Sequence, residues 1–163
     1  MSTSVGVSVL MRVAAEVKQS KERQFTSAHG EMMASLPLED LQVVQAASEL
    51  IVRGVIVKVI ATPSQRSFYR VESQSKFKRR DREADVSIDT GTHALDDSMS
   101  SSAKYYSCFS HYCTCAVFHE TTVTTHPTAM CKHMVARLLV DATGDCKTMQ
   151  VDDAHFAQML GTH

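Results

Sequence analysis

Tyr112-Cys113-Thr114-Cys115 and Cys131-Lys132-His133-Met134-Val135, with fifteen residues between Cys115 and Cys131, decide how this chain is read. Three thiols and an imidazole in two tight pairs form a closed Cys₃His donor set, the kind that holds structural zinc. Tetrahedral zinc, with Zn–S near about 2.3 Å, needs its sulfurs within about 4 Å of one another. Cys-x-Cys supplies two of them if the backbone turns there. Cys131 and His133 cannot both lie inside a regular helix, because positions i and i+2 point about 200° apart. The spacing therefore predicts Cys131 just before a helix and His133 in its first turn. The helix N-terminus then sits beside the thiolates and stabilises them.

A filled shell of one zinc ion leaves no position for a water, so the expected metal role is structural rather than catalytic. Zn²⁺ with three thiolates carries a local charge of −1, which Lys132 either offsets or ignores by pointing to solvent. His111, His119 and His126 flank the pairs and compete with His133 for the fourth position. The plainer alternative is a set of buried thiols with a surface histidine. Two paired motifs directly before an amphipathic helix favour the metal. Cys108 reads as a strand thiol and Cys146 as a free, partly exposed one. Cys113 or Cys131 as a nucleophile would need an orienting group and an oxyanion hole. The sequence carries no signature of either, and an enzyme is not expected.

Working outward, apolar residues at Met134, Val135, Leu138 and Leu139 predict a helix from Met130 to near Gly144. Asp152-Asp153 then opens a short last helix carrying Phe156 and Leu160. Upstream, 55–60 and 67–71 read as a hairpin around Thr62-Pro63-Ser64-Gln65. A third strand runs over 104–109. At the N-terminus, Val5, Val9, Val13 and Val17 form an i, i+4 row, widened by Leu10 and Ala14, predicting a helix over 5–23. Residues 25–35 read as a connector. Leu41, Val44, Ala47 and Ile51 predict a second helix, led by Pro37, Glu39 and Asp40 and closed at Arg53-Gly54. The expected class is α+β: N-terminal helices over 1–53, a small antiparallel sheet begun by the hairpin at 54–75, a mobile insertion loop at 76–103, and the zinc-bound finger with C-terminal helices at 104–163. The loop holds a basic run, Lys76, Lys78, Arg79, Arg80 and Arg82. It reads as a solvated charge run or as a phosphate contact, and its internal acids favour the first. Of Tyr105, Tyr106, Phe109 and Tyr112, strand alternation sends about half inward; the others are candidates for base stacking.

Composition fits a single globular domain of 163 residues with 44% apolar and 21% charged residues. The net charge of −1 supplies no bulk attraction to DNA or membrane. No apolar run approaches the roughly 20 residues that span a bilayer, and 1–17 makes a poor signal sequence. Five cysteines, an odd count, favour a reducing compartment. No Gly-x-x-x-x-Gly-Lys-Ser/Thr loop is present, so the chain is not expected to bind ATP itself.

Cys-x-Cys, a spacer and Cys-x-His opening a helix resemble the SWIM-type zinc finger. The segments ATPSQRSFYRV (61–71), YYSCFSHYCTCAVF (105–118) and CKHMVARLLVDATGDCKTMQVDDAHFAQML (131–160) resemble the SWIM-domain subunits of Shu recombination complexes. That resemblance implies a non-enzymatic nuclear adaptor. It would pair as a heterodimer with a RecA-like recombinase paralogue and promote recombinase filaments on single-stranded DNA, in homologous recombination and meiosis. It carries Cys113, Cys115, Cys131 and His133 over as the zinc ligands. It implies neither a membrane nor a small-molecule partner. Val9, Val13, Val17, Leu41 and Val44 are then candidates for docking such a partner, although ordinary core is the more economical assignment. A direct nucleic-acid-binding zinc module outside recombination is the alternative.

Overall fold

The computed structural model describes residues 5–73, 104–123 and 130–161. The insertion at 76–103, with its basic run Lys76, Lys78, Arg79, Arg80 and Arg82, lies outside the described residues. So does His126.

Three helices come first: α1 (Val5–Gln19), α2 (Ser27–Ala34) and α3 (Leu38–Val52). α3 ends as its sequence predicts, with Arg53 as cap and Gly54 in the left-handed conformation that glycine tolerates. The hairpin follows as β1 (Ile56–Thr62) and β2 (Ser67–Glu72), then β3 (Tyr105–Cys108). A π-helical segment, Phe118–Val123, leads toward α4 (Lys132–Thr143), β4 (Lys147–Asp152) and α5 (Asp153–Gly161). Gly144 closes α4 at φ 75°, with its N–H bonded to the Val140 carbonyl at 2.8 Å. Asp152 caps α5 by accepting the His155 N–H at 2.7 Å.

The sheet order is β3-β2-β1-β4. β1–β2 and β2–β3 are antiparallel, but β4 lies parallel to β1, with Val57 opposite Lys147 and Thr62 opposite Asp152. The sheet is thus mixed, correcting the antiparallel expectation. Lys147–Asp152 escapes a sequence reading because it is a solvent-exposed edge strand, without the apolar alternation of a half-buried one. α2 escapes it too. Its cap pairs the Thr26 N–H with His29 Nδ1 at 3.1 Å, a capping box in which histidine stands where Glu or Gln would be sought.

One face of the sheet receives α4, with α1 and α3 packed on α4 in turn. The main core joins Leu10 of α1, Leu50 of α3, Ile56, Tyr69 and Val71 of the sheet, and Val135 and Leu139 of α4. The N-terminal helices and the C-terminal half therefore share one interior. On the opposite face, Val59, Ala61 and Phe68 are covered by Phe156 of α5. Val13 and Val17 are fully buried beside Ala142 of α4. This corrects their candidacy as partner contacts, because a side chain closed inside its own chain cannot meet another. Val9, Leu41 and Val44 are half-buried and pack on the same core.

A polar knot fastens α4 to three elements. Asp141 accepts the Tyr69 hydroxyl at 2.6 Å and pairs with Lys18 at 2.9 Å and Lys58 at 3.6 Å. Burial alone would raise its carboxyl pKa; the Tyr69 hydroxyl and the two lysines outweigh that and hold it down at about 2, from an ordinary 3.8. Burial and the same carboxylate push the Tyr69 hydroxyl up. A carboxyl whose folded pKa is depressed adds stability above its unfolded pKa, and that stability is lost as pH falls through the folded one. Asp141→Asn is therefore expected to cost about 2 kcal/mol at pH 7. The difference from wild type should shrink between pH 4 and pH 2 in paired denaturant melts. A constant difference across that range would remove the charge from the explanation.

Candidate metal centre

β3 sets the site. After Cys108 the chain reverses through Phe109–Tyr112, closed by the Phe109 N–H on the Tyr112 carbonyl at 2.8 Å. Cys113 then lies antiparallel to Cys108 in an isolated bridge. Thr114 fixes the return. Its N–H reaches the Ser107 carbonyl at 3.1 Å, and its hydroxyl accepts the Ser107 N–H at 3.0 Å. With Thr114 committed to β3, the flanking Cys113 and Cys115 fall on one face, as alternate residues of extended backbone do.

The other pair comes from α4. Cys131 is its N-cap, in extended conformation, and His133 lies in the first turn, as the spacing predicts. The Sγ atoms of Cys113, Cys115 and Cys131 and the ligand nitrogen of His133 all lie within 4.8 Å of one another, and all four residues are buried. His133 turns Nδ1 to the sulfurs, 3.8 Å from Cys113 and 3.9 Å from Cys131. A tetrahedron with Zn–S of about 2.3 Å has sulfur–sulfur edges of about 3.8 Å. The donors fit such an ion with little contraction.

Charge points the same way. Three clustered thiols cannot all ionise without a cation. Hydrogen bonding with Cys108 and Cys115 pushes Cys113 up, and Cys113 and Cys115 push Cys131 up. Cys115, accepting from Cys113 and Cys131, is held well down. A divalent ion at the centre would pull all three down and let them act as thiolates. The Phe118 N–H, 3.3 Å from Cys115 Sγ, and the N-terminus of α4 favour that charge.

Among the described residues, the competing histidines His111 and His119 stand aside. His111 is exposed and contacts Ser110, and exposed His119 meets Tyr112. Lys132 points to solvent. Of the aromatics, Tyr106 turns inward with its ring 4.8 Å from His133, while Tyr105 stacks under the Arg70 guanidinium at 4.0 Å. Tyr112 is partly exposed among Phe109, Phe118 and His119. Thr114 and the Phe118 amide are supporting groups with no signal of their own in the sequence. Tyr106 had one, since it shares a strand face with Cys108.

The chain resembles a SWIM zinc finger protein over part of its length. The relative is "Zinc finger SWIM domain-containing protein 7" of Danio rerio, 36% identical over 64 residues, or 38% of this chain. The match spans 46%, about half, of that relative. No known family profile matches the chain, and no solved structure does. The partial homology and the Cys₃His cluster together support a zinc-binding module. No helix among the described residues is long and apolar enough to cross a membrane.

Proposed function

We propose that this chain is a zinc-stabilised adaptor of a Shu-type complex. One structural zinc ion is held by Cys113, Cys115, Cys131 and His133. The chain pairs with a RecA-like recombinase paralogue and acts in the nucleus, in homologous recombination and meiosis. There it favours recombinase filaments on single-stranded DNA without catalysing a reaction. The observation that carries the reading is the buried Cys₃His cluster, built into the same core that joins α1, α3 and the sheet. A metal so placed holds a shape, and a shape is what an adaptor supplies. The homology adds the SWIM finger, and the wider sequence resemblance adds the recombination setting. Surfaces open to a partner support it as well. Leu38 and Val52 of α3 and Met149 on the edge strand β4 are exposed apolar side chains.

The test is affinity purification of the full chain from its native cells, wild type against His133→Ala, with mass spectrometry of what accompanies each. A RecA-like protein is expected with wild type and lost with the variant. Recovery of no recombination protein with wild type would refute the adaptor role. If the purified chain alone binds single-stranded DNA, with an affinity falling steeply as salt rises, direct nucleic-acid binding takes its place.

A further inference from the structure

Three ligands of the candidate centre have outer partners. Cys115 has the Phe118 N–H and His133 has the Tyr106 ring. The third is Cys113, whose neighbour is another cysteine. Alternate residues of β3 share a face, so Tyr106 and Cys108 both turn toward the cluster. Cys108 pairs with Cys113 across the isolated antiparallel bridge, and both side chains are fully buried. Directly opposed residues in such a pairing stand about 4.5–5.5 Å apart at Cα, which makes the two sulfurs neighbours. Yet Cys108 is not one of the four residues whose donor atoms converge. Its other polar neighbour is the Phe109 carbonyl at 3.8 Å, a long contact.

We propose that Cys108 is a positioning residue of the metal centre, its thiol donating a hydrogen bond to the Cys113 thiolate. This rests on the zinc reading above. Three thiolates around a dication leave one negative charge in a site closed to water. The Phe118 N–H takes part of it at Cys115, and the Cys108 S–H takes part at Cys113. A thiolate is a stronger acceptor than the distant carbonyl, so metal binding turns the S–H toward Cys113. Partners of this kind orient a ligand and tune its donor strength, and losing one typically costs about 10–100-fold in metal affinity.

The experiment loads the full chain with Co²⁺ and reads the sulfur-to-cobalt charge-transfer absorption, then measures Zn²⁺ affinity by chelator competition. Wild type is compared with Cys108→Ala, which removes the donor, and Cys108→Ser, which keeps one in nearly the same volume. Far-UV circular dichroism checks that each folds. Cys108→Ala is expected to move the absorption to lower energy and to weaken Zn²⁺ binding about tenfold. Cys108→Ser should restore both, whereas Cys108→Val, which fills the volume without a donor, should not, and a packing role predicts the reverse for Val. Equal absorption and affinity in Cys108→Ala, or a Cys108→Ser that fails as Cys108→Ala does, overturns the role. A wild-type spectrum of four-thiolate intensity that falls to three in every variant overturns it too, by making Cys108 a ligand. If wild type takes up no Co²⁺ at all, the zinc reading itself fails and the role goes with it.

Discussion

Stripping the metal with a strong chelator, or replacing His133 by Ala, is expected to abolish the main cooperative unfolding transition of this protein. The ligands do not hang on the surface. Cys113, Cys115 and Cys131 belong to the core cluster that also holds Leu50, Ile56 and Val135. Structural zinc sites of this donor type contribute about 10–16 kcal/mol of apparent binding free energy. Whole domains are stable by only about 5–15 kcal/mol. Losing the first therefore exhausts the second. Without the ion the thiols must reprotonate inside the core, and the link from the Cys113–Cys115 segment to the start of α4 goes slack. Acid acts in the same direction, because the ligands bind only as thiolates and neutral imidazole. The measurement is a thermal melt by circular dichroism with and without chelator, alongside elemental analysis. One zinc per chain is expected for wild type and none for His133→Ala. A His133→Ala protein with full zinc content and an unchanged melt would show that the fourth ligand lies elsewhere.

Val13→Asp or Val17→Asp is expected to unfold the protein, not merely to detach a partner. Both side chains are fully buried against α4. A carboxylate there would be desolvated without a counter-charge, a penalty of several kcal/mol even if the group takes up a proton. Leu38→Asp and Val52→Asp make the contrast. Leu38 and Val52 are 71% and 87% exposed, and such surface changes usually stay within about 0.5 kcal/mol. These two variants should melt as wild type does. Any loss of a co-purifying protein then reports on the surface of α3. A Val13→Asp protein that melts normally would mean that α1 does not pack on α4 as the structure has it.

Much of this protein was legible from short-range pattern. The helices α1, α3 and α4, the β1–β2 hairpin and β3 each carry a local period or a cap that marks them. The four ligands are two pairs, and the spacing of the second already demands a helix opening at Cys131; the sequence asked for a turn at Cys-x-Cys, and the structure instead puts Cys113 and Cys115 on one face of a segment returning along β3. Those features depend on neighbours within a turn or two, where backbone geometry dictates side-chain direction. What only the tertiary structure decided lies at longer range. Lys147–Asp152 is a strand because β1 stands beside it, since its own exposed side chains favour no face. Val13 and Val17 belong to the interior because α4 covers the apolar stripe of α1, and a stripe by itself does not say whether its own chain or another covers it. Asp141 gathers Lys18, Lys58 and Tyr69 from three elements, and Cys108 comes to stand beside Cys113 through the turn that follows β3. Periodicity fixes which way a side chain faces along its own element; only packing determines what it meets there.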